Sequence, residues 1–322
     1  MNIEAVHTVG NIGAGTMGHA TALQFALKGY EVHLLDMVQA GLDRGMSLIE
    51  HDLKTFADNG MLTEPVETVL GRISTYTDYE AALTGVDFVI ESAAEDLKIK
   101  QSIWQQAEQF VGPEVVLATN TSGLSPTAIQ EGLKHPERFV VAHFWNPAHL
   151  MPLVEVVPGK QTSEATVDFT ADLLNHIGKH AVPLKVEALG FVGNRIQLAV
   201  IRECMHIIGE GIASPEAVDD VVKYSLGRRW SLVGPVASAD LGGLDIFEKL
   251  TTYLYQDLAN GTGEDPLLKQ KVDANELGLK TGRGFFDWEG DAGKQIVADR
   301  DKALLELLKK DGSTLNLVDG LP

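Results

Sequence analysis

The sequence predicts an α/β fold, with an N-terminal domain on a mostly parallel sheet followed by an all-helical C-terminal domain. Three observations predict it. A glycine-rich turn, Gly13-Ala14-Gly15-Thr16-Met17-Gly18, joins a strand-like run to a helix-like one. Strand-like and helix-like segments then alternate to about residue 185, the pattern of a parallel sheet flanked by helices. After Leu189-Gly190 helical patterns dominate. The domains are therefore expected at 1–187 and 188–322, and a chain of 322 residues exceeds the size at which one core usually stops growing.

The elements follow in order. Residues 5–12 read as a strand, although Gly10 and Asn11 interrupt its apolar run. Ala20, Leu23, Phe25, Ala26 and Leu27 give a helix its apolar face, and Gly29 ends it. A second strand, 32–35, finishes at Asp36. This βαβ unit, with an acid closing its second strand, is the layout of a dinucleotide site. Gly13 allows the tight turn, Gly15 lets the backbone approach a pyrophosphate, and Gly18 lets helix and strand pack closely. The helix N-terminus offers N–H groups and partial positive charge to the phosphates. Asp36 can accept hydrogen bonds from both ribose hydroxyls and would repel a 2′-phosphate, which favours NAD over NADP.

Further strands are expected at 86–91, 115–119, 139–143, 153–157 and 180–184, with helices at 96–110 and 166–177 between them. In the second domain the helices are expected at 192–209, 215–226, 236–259, 266–277 and 293–310.

Composition excludes several classes. Hydrophobic residues make up 44% and charged residues 22%, ordinary for a globular protein. No apolar run approaches the roughly 18 residues of a membrane helix, and no signal peptide is evident. Cys204 is the only cysteine, which excludes intramolecular disulfides and fits the cytoplasm. A net charge of −19 argues against nucleic acid and anionic membranes as partners. No metal site is expected, because the ten histidines do not fall in ligand spacing and His143 with His149 lacks a third ligand.

In an open parallel sheet, ligands bind beyond the carboxyl ends of the strands. The polar residues there are Glu91-Ser92-Ala93-Ala94-Glu95, Asn120-Thr121-Ser122 and His143-Phe144-Trp145-Asn146-Pro147. Each alone has a bland reading, such as a turn, a helix cap or a core histidine. Glu155 lies between valines, where an unpaired carboxylate is costly, and His143 is the natural partner. A His–Glu pair makes a general base, with the carboxylate fixing the tautomer and stabilising the imidazolium.

GAGTMG, ESAAED, NTSGLSP, HFWNP with PLVEVVPG, GFVGNR and KTGRGFF occur in the order and approximate spacing of the L-3-hydroxyacyl-CoA dehydrogenase family. The resemblance runs from about residue 6 to residue 288. It implies a Rossmann domain followed by a helical domain that forms most of a homodimer interface. It also implies NAD-dependent oxidation of a 3-hydroxy group to a 3-keto group, with His143 as base and Glu155 as its partner. Ser122 and Asn194 would contact substrate. Cofactor contacts would be Gly13, Gly15, Met17, Gly18, Asp36, Glu95, Lys100, Ser122, Asn146 and Lys280.

Two departures bear on the substrate. The helix after the second strand is Lys-rich in the acyl-CoA enzymes. Here residues 38–60 carry only Arg44 and Lys54 against Asp43, Glu50, Asp52 and Asp58. Counted from Asp36, the family's CoA-contacting serine falls on Asp52, expected to repel the CoA 3′-phosphate, and its lysine on Asn59. Second, Arg228, Arg229 and Trp230 precede a Gly-Pro, and arginines there could hold a carboxylate bidentately. That resembles the branch acting on free hydroxy acids. The substrate is thus expected to be a small free 3-hydroxy acid, with a 3-hydroxyacyl-CoA as the alternative. The β-hydroxyacid dehydrogenases share a GxGxMG start but rely on a catalytic lysine. A non-catalytic, crystallin-like or NAD-sensing relative would show decay of the base or its partner, whereas His143, Glu155, Ser122 and Asn194 are all present.

Overall fold

In the computed structural model, which describes residues 2–311, the chain parts into two compact units between Asn194 and Arg195. The first holds eight strands: β1 (Thr8–Ile12), β2 (Glu31–Leu35), β3 (Ile73–Tyr76), β4 (Phe88–Glu91), β5 (Val116–Thr119), β6 (Phe139–Phe144), β7 (Leu153–Pro158) and β8 (His180–Pro183). They form one sheet in the order β3-β2-β1-β4-β5-β6-β7-β8. β1 to β6 are parallel, β7 runs antiparallel to β6, and β8 lies parallel to β7. Strand order reverses between β1 and β4, so the loop after β1 sits at the switch point where such sheets bind ligands.

The helices of this unit are α1 (Gly18–Leu27), α2 (Gln39–Asp58), α3 (Val66–Leu70), α4 (Tyr79–Leu83), α5 (Leu97–Ala107), α6 (Pro126–Ile129) and α7 (Glu164–His176). Local chemistry starts several of them. Asp96, Ser125 and Ser163 are extended N-caps whose side chains accept from Ile99, Ala128 and Thr166 N–H. The central strands are continuous apolar runs because both sheet faces are covered. Val9, Val32, Leu34, Phe88, Val89, Ile90, Val116 and Val140 have no exposed surface.

β3 was not expected from the sequence. It is a four-residue edge strand, Ile-Ser-Thr-Tyr, with two exposed polar positions. The interruption of β1 also finds its reason. A Cβ on Gly10 would meet Leu83 Cδ2 at 2.7 Å, so α4 packs onto bare backbone. Asn11, fully buried, donates from Nδ2 to Gly13 O at 3.0 Å and Gly18 O at 3.2 Å, and accepts from Thr21 Oγ1 at 2.8 Å.

The second unit is helical. α8 (Gly193–Gly209) leads into it, followed by α9 (Pro215–Val221), a π-helical turn (Val222–Leu226), α10 (Gly227–Trp230), α11 (Pro235–Gly242), α12 (Leu244–Leu254), α13 (Pro266–Asp273) and α14 (Ala292–Asp311). The helix expected over 236–259 is two helices. Gly243, at φ 93°, breaks the turn where a residue with a Cβ would be strained. The helix expected over 266–277 ends at Asp273, two residues before Asn275 at φ 55°. Residues 312–322 of the expected second domain lie outside the described residues. Among the described residues, no helix is long and apolar enough to cross a membrane.

Candidate active site

The glycine turn has the shape a pyrophosphate needs. Gly13 adopts φ 95°, and a Cβ there would meet Ser92 O at 2.8 Å. A Cβ on Gly18 would collide with Gly13 O, so α1 rests directly on the turn. Gly15 is exposed, with open space where its Cβ would be, and Met17 beside it is half-buried. No side chain caps the start of α1; His19 N and Thr21 N donate to Gly15 O and Met17 O, while no side chain occupies the remaining N–H groups of the first turn. At the end of β2, Asp36 accepts from Ala14 N at 3.1 Å and from Val38 N at 3.1 Å. Its carboxylate is thus fixed beside the turn. A dinucleotide with an unmodified ribose fits these groups. These residues would hold NAD, with the phosphates on the turn and the adenosine ribose at Asp36.

His143 and Glu155 are register partners across the antiparallel β6–β7 pair, so their side chains share a face. His143 Nδ1 lies 2.9 Å from Glu155 Oε2, and both residues are buried. The second carboxylate oxygen accepts from Val192 N and Gly193 N, each at 3.0 Å. Burial pushes the Glu155 carboxyl up, but the His143 hydrogen bond and the two backbone N–H groups outweigh it, holding it below the usual carboxylate range. Because an ionised carboxylate only accepts, Nδ1 carries the imidazole proton and Nε2 keeps its lone pair.

The turn that delivers those N–H groups is tightly specified. Phe191 is completely buried at φ 53°, its ring 5.5 Å from that of His143. A Cβ on Gly193 would run into the Trp145 ring. Trp145 in turn lies 5.5 Å from the His143 ring.

The other strand ends are tied together. Asn120 accepts from Phe144 N at 2.8 Å and donates to Ser92 Oγ at 3.1 Å, linking the ends of β4, β5 and β6. Glu95 accepts from Thr121 Oγ1 at 2.6 Å and Ser122 N at 2.8 Å. Asn194 Nδ2 donates to Ser122 O at 2.7 Å. So Glu95, Ser122 and Asn194 form one cluster. Ser122, Glu95 and Asn146 are exposed. Lys100, expected as a cofactor contact, has no exposed surface. Its Nζ lies 2.7 Å from Glu91 Oε1 and 3.7 Å from Glu95 Oε2, so it reaches the surface through Glu95.

The loop after β6 is anchored from below. Lys179 Nζ donates to Ala148 O at 2.6 Å and Met151 O at 3.1 Å, and burial pulls its ammonium down to about 7. In the second unit, Arg228 and Arg229 are exposed on α10, Trp230 is half-buried, and Lys280 is exposed in the turn before Arg283.

The surroundings of Asp52 and His149 differ from those the sequence suggests. Asp52 is not a surface carboxylate. It is buried on α2, with Oδ2 3.2 Å from His19 Nε2 and 3.4 Å from His149 Nδ1. It faces two imidazole rings and is largely shielded from solvent, so it is not presented to a CoA phosphate as a bare surface charge. Asn59, the other CoA position, donates to Thr55 O at 2.8 Å. His149 meets His19 and Asp52 instead of His143, and the three offer ligand atoms within 4.8 Å of one another.

Comparison with known proteins places these features. Residues 8–187 match the family model described as 3-hydroxyacyl-CoA dehydrogenase, NAD binding domain, and residues 190–288 match its C-terminal domain. A 5-formyl-3-hydroxy-2-methylpyridine 4-carboxylate 5-dehydrogenase from Mesorhizobium japonicum is 32% identical over 93% of this chain and 96% of its own. A probable 3-hydroxybutyryl-CoA dehydrogenase from Deinococcus radiodurans is 38% identical over 87% and 99%. Among solved structures, a 5-formyl-3-hydroxy-2-methylpyridine 4-carboxylic acid 5-dehydrogenase, described as an NAD+ dependent dismutase, matches with a TM-score of 0.89. It is 30% identical over 96% of this chain and all 100% of its own. The (S)-3-hydroxybutyryl-CoA dehydrogenase from Ralstonia eutropha gives 0.75 at 35% identity, over 89% and 100%.

Proposed function

The chain belongs to the 3-hydroxyacyl-CoA dehydrogenase family and is an NAD-dependent oxidoreductase, and on that premise we propose that it oxidises a hydroxyl group of a small free acid. The observation that carries the chemistry is the buried His143–Glu155 pair, with its carboxylate fully engaged. His143 Nε2 takes the hydroxyl proton, and Glu155 stabilises the imidazolium that results. The nicotinamide of NAD, when bound, accepts the hydride from the same carbon. Ser122 and Asn194, joined at one cluster, hold the substrate oxygen as it becomes a carbonyl. Asp36, Glu95 and Asn146 contact the cofactor with the glycine turn, and Lys100 positions Glu95.

Two observations favour a free carboxylate. α2 carries one arginine, Arg44, and one lysine, Lys54, too few to grip a CoA phosphate, and Arg228 and Arg229 are exposed cations suited to a carboxylate. The Mesorhizobium relative, named for a free pyridine carboxylate, supports the same reading. The CoA thioester reading rests on the 38% identity to the Deinococcus enzyme and on an Asp52 that is already paired. Assays of NADH oxidation with acetoacetyl-CoA, beside NAD reduction with free 3-hydroxy acids and hydroxymethyl aromatic acids, decide between them. Efficient turnover of acetoacetyl-CoA alone overturns the free-acid proposal.

The second unit is proposed to form a homodimer. Val236, Leu241, Leu244, Ile246 and Phe247 are exposed on α11 and α12, an apolar surface that a second copy would cover. Light scattering giving a monomer mass refutes this. A lone, half-buried Cys204 is consistent with a cytoplasmic setting.

A further inference from the structure

We infer that His19, Asp52 and His149 form a binding site for one zinc-class divalent cation, separate from the hydride-transfer chemistry. His19 Nδ1 lies 2.9 Å from Gly15 O, and a carbonyl can only accept, so Nδ1 carries the hydrogen. In neutral His19 the Nε2 lone pair then points at Asp52 Oδ2, an acceptor 3.2 Å away. Two acceptors facing each other at that distance require either a proton or a metal ion between them. His149 Nδ1 approaches the same oxygen at 3.4 Å, so two imidazoles converge on one carboxylate oxygen.

The geometry suits a metal. With bonds of about 2.0–2.1 Å to nitrogen and oxygen, neighbouring ligands of a tetrahedral zinc lie roughly 3.3 Å apart. The two His–Asp separations of 3.2 and 3.4 Å bracket that edge. All three ligand atoms fall within 4.8 Å of one another, close enough for one ion to reach each after small rotations. Two nitrogens and one carboxylate select a borderline cation over Mg²⁺ or Ca²⁺, which prefer all-oxygen shells. The Gly15 carbonyl holding His19 is the kind of outer partner that orients metal-ligating histidines. Half-buried His149 leaves a fourth position for water, with the buried Phe56 ring 6.0 Å from its own.

The ligands come from α1, α2 and the loop after β6. A bound ion would therefore clasp the cofactor helix to the loop that follows His143. The site is structural, with three protein ligands drawn from distant parts of the chain.

The test uses the full-length protein freed of metal by a chelator, titrated with ZnCl₂ by calorimetry and with CoCl₂ by visible absorption. The wild type should bind one equivalent of either ion and show tetrahedral Co²⁺ bands, with a rise in Tm on adding Zn²⁺. His149→Ala, at the most exposed ligand, and Asp52→Asn should each weaken binding at least about tenfold and lose the Tm rise. A wild type that takes up no metal overturns the inference, because a proton on His19 then resolves the same conflict. Binding undiminished in both variants overturns it as well, since it places the ion on other histidines. His149→Ala keeps the test valid if Asp52→Asn does not fold.

Discussion

Two His–carboxylate constellations in the interior of the first unit differ in their hydrogen-bond accounting. At Glu155 each carboxylate oxygen has its donors: His143 on one, the N–H groups of Val192 and Gly193 on the other. Nothing is in conflict, and the imidazole is left with one lone pair to use. At Asp52 a single oxygen faces two imidazole nitrogens, one of which has already committed its proton to Gly15 O. The first arrangement pairs a neutral imidazole with an ionised carboxylate and is poised to accept a proton, and the second needs a proton or a metal ion between its acceptors. Similar residue types therefore serve different chemistry according to what satisfies the outer atoms.

The comparison breaks most sharply at His143. His143→Gln should lower kcat/KM by about 10³-fold, the scale of a lost general base, with NADH affinity unchanged by fluorescence titration. Turnover within tenfold of wild type would remove His143 from the chemistry. Glu155→Gln should cost roughly 10²-fold in kcat, because an amide can donate to the imidazole as well as accept and no longer enforces one tautomer. It should also alter acid stability. The Glu155 carboxyl is held below its usual value, so its stabilisation is complete above the unfolded carboxyl's pKa and disappears as pH falls through the lower folded one. The wild type should thus lose stability over that acidic window, with a shallower loss in the glutamine variant, measured by urea unfolding at successive pH values.

At the second constellation, Asp52→Asn should lower stability by about 1–3 kcal/mol, the cost of leaving buried polar partners imperfectly matched, with less loss of kcat than at Glu155. Equal losses of kcat at both sites would mean that the two carboxylates serve the same chemistry. The smallest effect concerns Lys179, beneath the loop that carries His149. Its ammonium is pulled down to about 7, whereas the unfolded chain keeps that proton to higher pH. The unfolded state binds more protons above pH 7, so this group makes stability rise with pH, by at most about 1.4 kcal/mol per unit. Lys179→Met should flatten the rise, read as Tm between pH 7 and 9.

Much of this was legible in the chain. The glycine turn, Asp36 at the end of β2 and the acid between valines each carry a local signal, and Glu155 named its partner because a buried charge needs one. What was missed is what tertiary packing assembles. β3 carries two polar exposed residues and pairs only on one side with β2, so its pattern is too short and too polar to read. Gly243 breaks an otherwise continuous helical pattern through its backbone conformation, which composition does not reveal. His19, Asp52 and His149 lie 33 and 97 residues apart on three elements, so no spacing rule could join them. Asp52 was consequently taken for a bare charge.

Asn11 offers a last consequence. Its buried amide, shared among Gly13 O, Gly18 O and Thr21, fixes the glycine turn before any ligand arrives. The conformational entropy of ordering that turn is therefore spent during folding and not at association. The cofactor meets a rigid receptor, so its encounter needs no prior loop rearrangement and its affinity carries no ordering penalty at the phosphates.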